Sequence, residues 1–416
     1  MLCSAIRKLS TIGLLATVSL AAPLQADDGS NESLAAAIAA GDASLDLRYR
    51  YEFVDQDTFA ENANASTLRL RLNYKTDQWR DWSGFLEFDH VAEVIVDDFN
   101  SGQGTSGPGR DQYPGVVDPD GSDLNQLYLQ FAPNDDWRTR IGRQRILLDN
   151  QRFVGGVGWR QNEQTYDALT VSTTAIANTT LVYGYVGQVR RIFGQSAAVP
   201  ASKMNVDTHL LNAKVKINDS WSVTPYMYYI DNKDAAATST STFGARLTGG
   251  IKAGEGKVAL VAELATQSDA GNNPVSYDAD YAHLSALWSM DNGLGLGIAY
   301  ESLGTDSSNF QSFRTPLATL HAFQGWADMF LSTPPSGIDD LYATIKFKAG
   351  KWNLTGVYHD FSAETGGGDF GTEFDLSAGT KLSGNYGLLF KGAFFSSDDV
   401  AYPDTNKFWI MFTANY

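Results

Sequence analysis

A period of two runs through nearly the whole chain and limits what it can become. From Ser44 to Val54, Leu45, Leu47, Tyr49, Tyr51 and Phe53 alternate with Asp46, Arg48, Arg50 and Glu52. The next segment repeats the code, with Leu68, Leu70, Leu72 and Tyr74 set against Thr67, Arg69, Arg71 and Asn73. Alternate residues of a strand point to opposite faces, so each segment has one bulky apolar face and one charged face. The two faces need different solvents. A soluble sandwich supplies the apolar one from its own core. A membrane barrel supplies it from lipid and turns the charges toward a water-filled lumen.

The stretch Trp137 to Thr174 carries the same conflict in concentrated form. Arg138 and Arg140 share one face of a strand, opposite Trp137 and Ile141. An excursion rich in Gly and Arg follows, holding Arg143, Arg145, Arg152 and Arg160, and then a second strand begins. Taken along the chain, the pattern predicts eighteen strands: 44–54, 66–76, 82–96, 123–133, 136–147, 165–174, 178–188, 206–217, 220–231, 240–253, 256–268, 277–291, 294–302, 338–349, 351–362, 369–381, 385–396 and 406–416. An even count leaves both ends on one side of a membrane.

The connections alternate in length. Tight turns rich in Asn, Asp and Gly, such as Asn218-Asp219 and Asp291-Asn292-Gly293, supply the positive φ that hairpins need. Between them come longer loops, notably 97–122, 148–164 and 303–337. Short turns at one end and long loops at the other are the build of an outer-membrane barrel, and a sandwich has no reason to sort its loops so. The final segment adds Phe408, Ile410, Phe412 and Tyr416 on one parity, the kind of terminal strand that barrel-insertion machinery reads.

Ahead of the strands, Arg7 and Lys8 precede an apolar run and a cleavage-like Pro23-Leu24-Gln25-Ala26, so residues 1–26 read as a signal peptide. Residues 27–43 read as a short periplasmic segment with a helix over 29–41, capped by Ser30 or Asn31 and stopped at Gly41. The barrel then occupies 44–416. Removing the leader takes 31 basic residues to 29 against 48 acidic ones, a balance of −19 that argues against nucleic acid as a partner. Cys3, the only cysteine, leaves with the leader, and with it any disulfide or thiol chemistry.

Little in the sequence points to covalent chemistry. His90, His209, His283, His321 and His359 are scattered without metal-site spacing, and neither a Gly-x-Ser-x-Gly elbow nor a phosphate loop occurs. We therefore expect no enzyme activity, no metal and no cofactor. The rival class is a barrel enzyme of lipase or protease type, or an adhesin, acting through the long loops. Asp97, Asp98, Asp118, Asp120 and Asp123 lie in a Gly-rich loop without the spacing of a calcium hand and read as a solvated acidic loop. The arginines carry more information. Guanidinium stays charged and forks two donors onto a carboxylate, so a ladder of them either conducts anions or braces the wall against Asp46, Glu52, Glu87, Asp89 and Glu93. Within loop 303–337, Thr315-Pro316 predicts a helix start, with Leu317, Leu320, Phe323 and Phe330 at roughly helical spacing. Such an apolar segment covers itself most simply by folding into the barrel mouth, where Phe323, Trp326 and Phe330 are candidates for a gate.

The segments GRQRILLDNQRFVGGVGWRQNEQTYDAL (Gly142 to Leu169), TPLATLHAFQGWADMFLSTPPSGIDDLY (Thr315 to Tyr342) and SLDLRYRYEFVDQ at the start of the barrel resemble the alginate-export-type outer-membrane porins. The resemblance implies a monomeric eighteen-strand barrel in outer-membrane lipid. It also implies an electropositive passage for an acidic polysaccharide, lined here by Arg48, Arg50, Arg69, Arg71, Arg138, Arg140, Arg143 and Arg145, and the same lining would serve a small organic anion.

Overall fold

The computed structural model describes residues 33–416, so the expected signal peptide lies outside the described residues. A short helix, α1 (Leu34–Ala39), comes first; the Ser33 hydroxyl accepts from the amide of Ala36 at 3.1 Å and caps it. Ser33 is thus the cap of this helix, and the expected candidates Ser30 and Asn31 lie outside the described residues. Ala37 is buried, and its carbonyl accepts from the amide of Asp77, which ties α1 to a hairpin turn.

Eighteen strands then close on themselves. They run β1 (Asp42–Gln56), β2 (Ala63–Lys75), β3 (Trp82–Asp98), β4 (Gly121–Asn134), β5 (Trp137–Gln144) and β6 (Thr165–Thr173). Next come β7 (Thr179–Arg190), β8 (Lys203–Lys216), β9 (Trp221–Asn232), β10 (Thr240–Lys252), β11 (Gly256–Asp269), β12 (Asp278–Met290) and β13 (Gly295–Leu303). A small ribbon of β14 (Thr305–Asp306) and β15 (Gln311–Ser312) sits in the long loop. The wall resumes with β16 (Ile338–Ala349), β17 (Trp352–Ser362), β18 (Asp369–Ser383), β19 (Tyr386–Ser397) and β20 (Thr405–Asn415). Every junction is antiparallel, and β20 returns to pair with β1, Arg48 lying opposite Thr413 and Glu52 opposite Trp409. All the strands expected from the alternation are present, with small shifts at their ends.

Closure answers a strict demand. In hydrocarbon an unpaired backbone N–H or C=O has no water to turn to, and a closed sheet leaves no edge. Apart from bulges such as that between Glu87 and Phe88, the register carries one parity around the ring. Arg48 faces Arg69, Arg71 faces Asp89, Arg246 faces Glu263, Glu301 faces Asp340, and Lys391 faces Trp409, all on the inner surface. Leu70, Leu72, Ile141, Leu264, Ile298 and Phe374 take the other parity and are exposed on the outer surface. Among the described residues no helix is long and apolar enough to span a bilayer; strands do the crossing.

Placing Arg at Leu70, near the middle of β2 on the outer surface, is expected to destabilise the barrel by about 2–4 kcal/mol. The urea midpoint of protein folded into vesicles measures it.

Candidate functional site

The inner surfaces of β1 and β2 form a basic wall because two strands with Arg on the same parity are paired in register. Arg48 lies directly across from Arg69. Arg71 makes a two-pronged pair with Asp89, both bonds 2.7 Å, and reaches Glu163 at 2.8 Å. Arg50 meets Asp118 at 2.9 Å, and its guanidinium lies 4.4 Å from the ring centre of Trp159. Among the described residues Arg48 has no carboxylate partner; it donates to Gln161 Oε1 and to the carbonyls of Gly158 and Arg160. Arg69 is the least satisfied. It is 7 % exposed, its closest carboxylate, Glu163, is 4.0 Å away, and its Nε and Nη1 have no hydrogen-bond partner.

Two loops fold into the barrel against this wall. In loop 145–164, Arg145 turns inward to Glu87 and Glu163, and Arg160 bonds Glu52 at 3.0 Å and Asp328 at 3.4 Å. Glu163 is buried, which by itself raises its pKa, but Arg71 and Arg145 outweigh burial and hold it at about 2. Arg152 crosses the lumen to Glu301 at 2.8 Å and Gln324 at 3.0 Å. Loop 304–337 lies alongside: Val154 and Leu317 form a parallel bridge, and Gly155 donates to the Leu317 carbonyl at 2.8 Å. Phe153, Phe313, Leu317 and Phe330 then pack against inward Tyr226, Tyr228, Tyr281, Phe361 and Phe395.

The expected helix at 315–335 is absent. A 3-10 turn at Leu320–Ala322 is the only helical piece there, and Gln324, Gly325 and Asp328 have positive φ. The chain gives up helical hydrogen bonds because the wall offers better acceptors. The amides of Trp326 and Ala327 both donate to Glu373 Oε1, and Trp326 also reaches Asp375. Gly325 permits this approach, since a Cβ there would lie 2.3 Å from the Glu373 carboxylate. Next to it, Lys391 sits among the rings of Trp326, Trp159 and Trp409, at 3.7, 4.3 and 5.3 Å. Its ammonium donates to His321 Nε2 at 2.6 Å, so the other ring nitrogen carries the hydrogen given to Asp328 at 2.7 Å. Asp328 also receives Lys407 at 2.9 Å. Burial, reinforced by Lys391 and Arg160 against the pull of Asp328, pushes His321 down to about 3.

Of the eight expected lumen arginines, Arg48, Arg50, Arg69, Arg71 and Arg145 converge here. Arg140 faces inward lower down, bonded to Gln130 at 2.8 Å, and Arg138 shares that parity near the short-turn end. Arg143 departs from expectation. β5 stays in register through Gln144, so Arg143 shares the outward parity of Ile141 and pairs with Asp167 at 2.7 Å. Asp118, expected in a solvated acidic loop, is instead fully buried against Arg50. Phe323 lies under the Arg152 guanidinium, Trp326 in the lysine cage and Phe330 in the aromatic cluster. Reading the sequence missed Lys391, Lys407, Glu373 and Asp375. Their inward parity was the available signal, but nothing local marks them as partners of a distant loop.

The alginate export family matches residues 41–286, more than half of the chain. The chain belongs to the alginate export family. No curated protein matches it. Among solved structures, Pseudomonas aeruginosa OpdO superposes with a TM-score of 0.70 at 12% identity, covering 91% of this chain and 98% of that one. Pseudomonas aeruginosa OccK9 (OpdG) gives 0.69 at 15%, covering 91% and 100%. Acinetobacter baumannii OccAB4 gives 0.66 at 10%, covering 90% and 98%. At such identities the likeness is one of fold. The chain is a porin-type barrel of the outer membrane, and in this alginate export family member two loops fold into the lumen.

Acid should loosen the inner loop. His321 is neutral when docked and takes a proton near its usual pKa of about 6.5 when released. The released state therefore binds more protons between about pH 6.5 and 3, and docking weakens as pH falls through that window. Amide-exchange protection at Trp326 and Ala327, corrected for intrinsic rate, is expected to drop in that range, with a smaller drop in His321→Gln.

Proposed function

We propose that this protein gives passive passage to anionic solutes along the basic wall of β1 and β2. The observation that carries this reading is Arg69: a buried guanidinium on the inner face beside Arg48, whose Nε and Nη1 find no hydrogen-bond partner among the described residues. An unpartnered buried cation is costly, and a solute carboxylate admitted by a shift of the covering loop would supply what the protein leaves out. Arg71, already matched by Asp89 and Glu163, braces the wall and positions Arg69. Arg48 is held by neutral oxygens of loop 145–164, with no carboxylate among its hydrogen-bond partners. Arg140 and Arg138 continue the path toward the short-turn end. The mechanism is exchange between fixed charges down a gradient, without a covalent step or cofactor. The solute is a small organic acid or an acidic polysaccharide, since both present carboxylates to the same lining. Loop 304–337 sets the bore. The barrel works as a monomer, and β20, with Phe408, Ile410 and Phe412 outward, is the strand that insertion machinery reads.

Reversal potential in a salt gradient tests the wall. Two charges about 4 Å apart interact by roughly 1–4 kcal/mol across plausible dielectrics. Arg69→Gln should therefore lower the anion-to-cation permeability ratio about fivefold or more, as roughly 1 kcal/mol implies. An unchanged ratio would leave the arginines as bracing alone. Deleting 315–335 should raise single-channel conductance, and an unchanged conductance would remove the loop from the path.

A further inference from the structure

The outer surface of the wall carries few cations. By register, those of outward parity among the described strand residues are Arg143 of β5, Arg190 of β7 and Lys203 of β8, all at the loop end of neighbouring strands. A bulge at Gly187 puts Gln188 and Arg190 on the outer side while Val186 and Val189 stay buried inside. From mid-wall toward the loops, the outward rungs between β7 and β8 are Tyr183 with Leu211, Tyr185 with His209, Gln188 with Asn205, and Arg190 with Lys203. Between β5 and β6, Ile141 with Leu169 is followed by Arg143 with Asp167. Apolar, aromatic, neutral polar and cationic groups thus succeed one another over one patch of the outer face.

The cations of this patch are unequally matched. Arg143 bonds Asp167 at 2.7 and 3.2 Å and has Asp123 at 3.8 Å. Arg190 only approaches Asp167, at 3.9 Å, and its Nε makes no hydrogen bond. Among the described residues Lys203 has no carboxylate within ion-pair distance. The next outward carboxylates lie toward β9, where Asp207 is 3.7 Å from His209 and Asp234 accepts from the Asn205 amide at 2.7 Å. Arg190 and Lys203 stand directly opposite one another, a like-charge rung that destabilises a sheet unless an anion lies between the two. Beneath them the rings of Tyr183, Tyr185 and Tyr229 gather around His209, the kind of belt that marks the boundary between hydrocarbon and headgroups. Long basic side chains just above that belt reach headgroups rather than acyl chains.

We propose that Arg190 and Lys203, with Arg143 beside them, bind the phosphates of a phosphorylated glycolipid in the outer leaflet. The long loops of such a barrel face outward, so this end of the wall meets that leaflet. Facing residues of an antiparallel pair have Cα atoms roughly 5 Å apart, which lets Arg190 and Lys203 share the oxygens of one phosphate. From β5 to β8 the cations span three strand spacings, roughly 14 Å at about 4.8 Å each. A headgroup with a phosphate at either end of a sugar unit gains a second attachment at Arg143, and its hydroxyls can donate to Asp167. A headgroup with a single phosphate reaches one end of the row only. Acyl chains then lie along Leu127, Ile141, Leu169 and Leu211, all exposed on the same face. The patch is turned away from the lumen, so it stands whatever passes through the barrel.

The test uses the folded full barrel in detergent micelles, with binding followed by native mass spectrometry. The probes are bis-phosphorylated lipid A, the same lipid A stripped of phosphate, phosphatidylglycerol and inorganic pyrophosphate. Folding of each variant is checked by heat-dependent gel migration. We expect bis-phosphorylated lipid A to bind about tenfold or more tighter than each of the other three, with affinity falling as salt rises. Arg190→Gln plus Lys203→Gln should weaken that binding about tenfold, and Arg190→Lys plus Lys203→Arg should keep it. Equal binding by phosphate-free lipid A, or by the folded double Gln variant, overturns the proposal. So does phosphatidylglycerol at equal affinity, which would reveal a general preference for anionic lipid. Pyrophosphate bound as tightly as the lipid would overturn it too, by placing the source of phosphate in solution rather than in the membrane.

Discussion

The pairing of every backbone hydrogen-bonding group inside hydrocarbon is the constraint from which the rest follows. It admits only a closed sheet here, and closure fixes one inner and one outer parity for all eighteen strands. Once β20 is in register with β1, each charged residue in the wall is committed to the lumen or to lipid. Lipid disfavours it, so apart from outward pairs such as Arg143 with Asp167 the lumen collects charges of both signs at high density. The ion-pair network between Arg71, Arg145, Glu87, Asp89 and Glu163 is a consequence of that confinement.

Confinement also explains why the loops fold inward. An inner wall carrying Glu52, Glu301, Glu373, Lys391 and Lys407 is poorly served by its own strand neighbours, because adjacent inward residues are often of like charge or apolar. Loops 145–164 and 304–337 supply the opposite groups through Arg152, Arg160 and Asp328, and bare amides through Trp326 and Ala327. Removing one partner from such a buried pair typically costs about 3–5 kcal/mol, so the loops are held by many mutually dependent contacts. The aromatic cage around Lys391 adds an attraction that requires no counter-charge.

Basic groups then occupy two levels of the passage with different character. Beside the inward loops Arg48 and Arg69 are buried, and Arg69 has donors without partners. Toward the short-turn end Lys214, Lys216, Lys252, Lys257, Lys346 and Lys348 are exposed. The acidity of the whole chain does not contradict either level. Many of its carboxylates are matched inside the barrel, and others, such as Asp57, Glu61 and Asp111, stand exposed in the outer loops.

Strand number, strand ends and the inward parity of Arg48, Arg50, Arg69 and Arg71 were legible in the residues, because a two-solvent environment writes itself directly as a period of two. Where loops go is a different matter. Leu317, Leu320, Phe323 and Phe330 have helical spacing, but the free energy of that segment is set by Glu373, Asp375 and Lys391, up to some seventy residues further along. Arg143 likewise has the composition of a lumen residue and the parity of a lipid-side one, and only the persistence of β5 through Gln144 decides between them. Local sequence determined the barrel because each strand's two faces are chosen by solvents that act on every residue alike. The bore and its charge pattern were left to tertiary structure, because they depend on which distant groups meet once the ring has closed.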